Sequence, residues 1–101
     1  MHAILYIPQQ QPQSIDNNGL VLPDPISRLV ATPERVSQLL GCAPALVDVL
    51  ASGSNYVAYS IFDCEGQINQ NAMEALSDLT GVKFGNNEDE ILRGAVLVVC
   101  A

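Results

Sequence analysis

The sequence predicts a single small α+β domain, a three- to four-stranded sheet with helices packed mainly on one face. Three observations lead there. Two short apolar runs, AILYI near the start and AVLVVCA at the end, have the length and β-branched content of buried strands. Between them lie segments with apolar residues at helical spacing, opened by capping residues and closed by glycine. With 101 residues, 49% of them apolar and 15% charged, the chain is long enough to bury a core and too apolar to be disordered. Residues 1–101 are therefore expected to form one domain in which strands and helices pack in layers.

The elements follow in order. HAILYI, residues 2–7, is a strand ended by Pro8. Residues 8–19 form a polar Gln/Pro-rich loop in which PQQQPQ has no apolar or charged anchor, and disorder is the expectation. LVLPDPISRLV is broken by Pro23 and Pro25, which limits it to an edge strand or an extended segment. Thr32, Pro33 and Glu34 supply a capping hydroxyl, a first-turn proline and an early carboxylate, predicting a helix to Leu40 that stops at Gly41. Pro44 then opens a second predicted helix carrying Leu46, Val47, Val49 and Leu50, ended by SGSN at 52–55.

NYVAYSIF, residues 55–62, alternates as a strand does, and DCEG at 63–66 is a turn. Asn71 with Glu74 resembles a capping box, Ala72, Ala75, Leu76 and Leu79 share a helical face, and Gly81 closes that helix. VKF is expected to be a short strand, and Asn87 with Glu90 to cap a single helical turn through EILR. The final GAVLVVCA is apolar at nearly every position, the pattern of a strand covered on both faces in mid-sheet.

Residues 32–53, TPERVSQLLGCAPALVDVLASG, resemble the helix-turn-helix superfamily. Val36, Ser37, Leu40, the turn glycine Gly41, Cys42, Val47 and Leu50 fill its structural positions. The resemblance implies that the second helix enters the major groove of DNA and presents Ala43, Pro44, Ala45, Asp48 and Ser52. None of these donates the bidentate hydrogen bonds that read bases, and Asp48 carries the wrong charge for phosphate. Only Arg35 and Gln38, on the first helix, offer useful outward chemistry.

The charge balance points the same way. Eleven acidic residues face four basic ones (Arg28, Arg35, Lys83 and Arg93), and the net charge of −7 repels nucleic acid. No catalytic constellation is present: the lone His2 stands apart from Cys42, Cys64 and Cys100, and the neighbours of Cys64 are the acidic Asp63 and Glu65 rather than a base or a cation. The cysteines form no CxxC pair and are expected as buried thiols. Asp63, Glu65, Glu74 and Asp78 lack the repeated oxygen ligands of a calcium loop, so neither a metal nor a cofactor is expected. No apolar run approaches the roughly 20 residues that span a bilayer. The segment after Met1 has no basic leader and breaks at Pro8, so the cytoplasm is the expected location.

The function expected from these features is a small acidic, non-enzymatic protein-binding module, a regulator, adaptor or inhibitor, that forms a homodimer. Its candidate partner-binding residues are Arg35, Gln38, Asp48, Glu88, Asp89 and Glu90. The alternative is a helix-turn-helix DNA-binding regulator using residues 33–52. A minority form of the binding reading is an acidic DNA mimic, with its densest charge at residues 88–90.

Overall fold

The structure, a computed structural model, describes residues 1–82 and 91–101. Its centre is the strand that the sequence marks most strongly. β5 (Val96–Cys100) pairs antiparallel with β1 (His2–Tyr6) on one side and with β4 (Tyr56–Ile61) on the other. β2 (Gln13–Ile15) extends the sheet beyond β1, and β3 (Val47–Gly53) extends it beyond β4. The sheet order is β2-β1-β5-β4-β3, with every pair antiparallel.

Strand alternation sorts the core into two layers. Ala3, Leu5, Val57, Tyr59, Leu97 and Val99 point to one face, where Val36 and Leu40 of α1 (Glu34–Leu40) cover them. Tyr6, Ala58, Val96 and Val98 point to the other face, where Ala72, Met73 and Leu76 of α2 (Gln70–Thr80) pack. Both helices end on a left-handed glycine, Gly41 and Gly81, each at φ 75, and their backbone N–H groups bond back to Ser37 and Ser77 respectively.

Several expectations are corrected. The sheet has five strands rather than three or four, and its helices lie on opposite faces rather than mainly on one. A β5 that is apolar at every position can be buried only when both faces are covered, so one-sided packing would leave half of it in water. The second predicted helix is a single 3₁₀ turn, Pro44–Leu46, that runs directly into β3. VDVLASG carries the alternation of an edge strand, and SGSN turns a hairpin in which Ser54 and Asn55 join β3 to β4.

The polar loop is partly ordered: Gln13–Ile15 pairs with β1 because Ile15 reaches the α1-side core. Residues 20–31 pair with no strand; they run as irregular chain with one turn at residues 25–27 and are tied to the sheet where the Tyr59 hydroxyl donates to Ala31 O at 2.6 Å. Pro33, not Thr32, is the N-cap of α1, with no side-chain bond. Asn69, not Asn71, caps α2, its Oδ1 accepting from Ala72 N at 3.2 Å. Residues 83 and 84 of VKF and the caps Asn87 and Glu90 lie outside the described residues, while Ile91, Leu92 and Arg93 at the end of EILR are not helical: Arg93 forms an antiparallel bridge with Ile68.

Candidate functional site

The two edges of the sheet differ in how their backbone groups are disposed. At the β2 edge, three residues are followed by a clamp: the Arg35 guanidinium donates to Asp16 O and Oδ1 and to Asn18 O, and Asp16 Oδ1 also accepts from Asn18 N. These bonds, led by the Asn18 amide and followed by Arg35, hold the Asp16 carboxyl below the usual carboxylate range. Arg35 is therefore occupied within the fold and joins α1 to the segment after β2.

At the other edge, β3 is seven residues long, and no strand lies beyond it among the described residues. Phe62 N–H bonds Leu46 O, so alternation along the register turns the backbone groups of Val49 and the carbonyl of Val47 away from β4, toward the open side. The Val47 N–H is taken by Pro44 O. Edge strands are commonly guarded by lysine, proline or short length. Here, among the described residues, the guards are a register shift at Leu50 and the charge of Asp48, and the apolar side chains Leu46, Val49 (39% exposed) and Phe62 (62% exposed) flank the edge. Gly53 closes the strand beneath the Tyr56 ring, where a Cβ would lie 2.4 Å from Tyr56 Cε1.

A pocket of about 330 Å³ opens beside this edge on the α2 side. Leu50, Ile91 and Leu92 supply apolar wall, while Ser60, Asp63 and Arg93 supply polar atoms. Ser60 is only 8% exposed, yet its Oγ meets no hydrogen-bond partner among the described residues. Asp48 lies directly across from Ser60 in the register, exposed and without an ion pair among the described residues. Arg93 donates instead to Gly66 O at 3.2 Å.

The structure thus separates the candidate residues. Asp48 is at the open edge, Arg35 is inside the clamp near the opposite edge, and Gln38 is exposed on α1. Glu88, Asp89 and Glu90 lie outside the described residues. The helix-turn-helix positions do not form that motif, because Val47 and Leu50 belong to β3 and the stretch between Gly41 and β3 holds only the 3₁₀ turn Pro44–Leu46. Leu50, Ser60, Phe62 and the pocket were missed by sequence reasoning. The V-x-V alternation of residues 47–49 is the signal that would have found the edge.

Asp24 Oδ1 accepts from the amides of Ile26 and Ser27, which lowers its pKa and orders a turn that leaves Ile26 93% exposed. A cleft of about 340 Å³ is lined by Gln9, Gln10, Gln11, Gln70 and Asn71, with Ile68 as its apolar wall. The three thiols are free and half-buried, and burial, followed by the neighbouring Cys64, pushes Cys42 upward. Among the described residues no group of three His, Cys, Asp or Glu is placed to hold a metal ion, and no helix is long and apolar enough to cross a membrane.

Comparison with family models, with curated proteins and with solved structures gave no match.

Proposed function

We propose that this protein is a non-enzymatic binding module for other proteins, acting as a regulator, adaptor or inhibitor in the cytoplasm, and that the β3 edge is its contact. The observation that carries this reading is the open strand Val47–Gly53, with outward backbone groups at Val49 and apolar side chains at Leu46, Val49 and Phe62. Such an edge is a template for another chain: main-chain hydrogen bonds supply affinity, and side chains on alternate positions supply selectivity. The net charge of −7 favours protein over nucleic acid as the occupant. Three unpaired thiols suit a reducing compartment.

The test is capture from the native lysate by the wild type and by Val49→Pro. Proline removes an outward N–H that β4 does not use and is tolerated at sheet edges. A partner held by the wild type and lost on the folded variant supports the reading. A partner held equally by both excludes this edge as the contact.

A further inference from the structure

The nature of the occupant follows from charge and register, on the basis that β3 is the contact. We propose that the partner presents an extended segment that adds to β3 and places a lysine or arginine side chain in the pocket beside Leu50. A side chain on the α2-facing side of an added strand lies over that pocket, because Leu50 belongs both to β3 and to the pocket wall. The wall formed by Leu50, Ile91 and Leu92 matches the aliphatic stem of a long cation.

Its polar groups match the head. Ser60 Oγ, nine-tenths buried and without a partner among the described residues, accepts a hydrogen bond from the ammonium or guanidinium. Asp63 at the rim and Asp48 across from Ser60 supply the counter-charge, and no ion pair among the described residues consumes either one. Arg93 opposes them with one positive charge directed to Gly66 O, so among the described residues the local balance is negative.

A second copy of this chain fits the same edge less well. Outward groups on the first half of β3 come from Val47 and Val49, and the self-pairing that uses both aligns Val47 of one copy with Val49 of the other. That register sets the two Asp48 carboxylates directly opposite each other, where like charges destabilise. The other register open to it pairs Val49 with Val49 and sets Asp48 opposite Leu50, and in neither register does β3, which carries no Lys or Arg, bring a cation to Asp48. The homodimer expected from composition therefore finds no complementary charge at this edge.

The experiment is selection of phage-displayed random nonapeptides on the immobilised full-length protein, with Val49→Pro and the double variant Asp48→Lys, Asp63→Lys selected in parallel. The wild type is expected to enrich peptides that alternate β-branched or aromatic residues with a Lys or Arg at one position. Their binding should weaken about ten-fold or more on either variant. The charge-reversed protein should enrich Asp or Glu at the position of the cation. The double variant leaves the backbone unchanged, so it decides the matter even if the proline variant does not fold.

Peptides that depend on Val49 but show no charge preference overturn this inference alone and leave β3 as the contact. No enrichment, or equal binding to a folded Val49→Pro, overturns the inference together with the edge reading beneath it. Light scattering that shows a dimer in the wild type and a monomer in Val49→Pro assigns the edge to a second copy and overturns the inference.

Discussion

The junction around Asn69 and the edge around Asp48 are the two polar regions bordering the α2-side core, and they are built on opposite rules. Asn69 is 1% exposed and every polar group it carries is used: its amide donates to Tyr6 O at 2.9 Å and to Gly94 O at 2.8 Å, and its Oδ1 caps Ala72 N. Its backbone N–H donates to Leu92 O, and its carbonyl accepts from Met73 N. One side chain thus joins the end of β1, the approach to β5 and the start of α2. Asp48 and Ser60, by contrast, have side chains with no partner among the described residues, next to a strand whose outer hydrogen bonds are unmade. The first region spends its polar groups on the fold; the second leaves them for another molecule.

Breaking the closed region should have the largest effect. Asn69→Leu keeps the side-chain size but strands two buried carbonyls and uncaps α2. Loss of about 3 kcal/mol in urea denaturation is expected, since each unsatisfied buried group costs about 1–3 kcal/mol and a cap about 1. A loss below about 1 kcal/mol would show that water replaces the amide and that the junction is less closed than its geometry implies.

Tyr59→Phe should cost less, about 1 kcal/mol, because it removes one hydrogen bond to Ala31 O from a ring that is otherwise wholly buried. It also carries a pH signature. Burial raises Tyr59, and burial followed by Cys100 raises Tyr6, above the ordinary value of 10.0. The unfolded chain ionises these groups first as pH rises. Their stabilisation is complete below about pH 10 and is lost as pH climbs through the raised folded values. Alkaline denaturation of the wild type should be steeper than that of Tyr59→Phe, and equal slopes would contradict the burial argument.

Arg35→Ala should change global stability least among the fold-directed variants, because its ion pair with Asp16 is at the surface. Its effect should be local, faster amide exchange through Gln13–Ile15. The Asp16 carboxyl is lowered in the fold, so the pair's contribution is present above the ordinary value of 3.8 and is lost as pH falls through the lower folded value. Wild type and variant should converge in acid. Val49→Pro completes the series: melting temperature close to the wild type, with partner capture abolished.

Legibility in the sequence tracked how strongly a segment's own pattern fixed its environment. VLVVC could only be a central strand, and the glycines at 41 and 81 marked both helix ends, because these signals are local. PALVDVLASG was ambiguous. Pro44 and four apolar residues satisfy a helix start, while Val47-Asp48-Val49 satisfies a strand, and pairing with Tyr56–Ile61 decided for the strand. Asn71 with Glu74 matched a capping box better than Asn69 did, yet Asn69 caps because the carbonyls of Tyr6 and Gly94, distant in sequence, hold its amide. The pocket beside Leu50 joins residues from three separate stretches, 50, 60–64 and 91–93, so no local pattern announced it. Of the candidate residues that are described, Asp48 alone lies at the edge on which the functional reading rests.

Whether the outer backbone hydrogen bonds of β3 are unmade is read by amide hydrogen exchange of the free protein, at a concentration where light scattering gives the monomer mass of 10.8 kDa. The Val49 amide is expected to exchange near the unprotected rate while that of Val98, in the middle of β5, is strongly protected. Comparable protection at Val49 and Val98 in the monomer would mean that the edge is already satisfied and that β3 is not an open template.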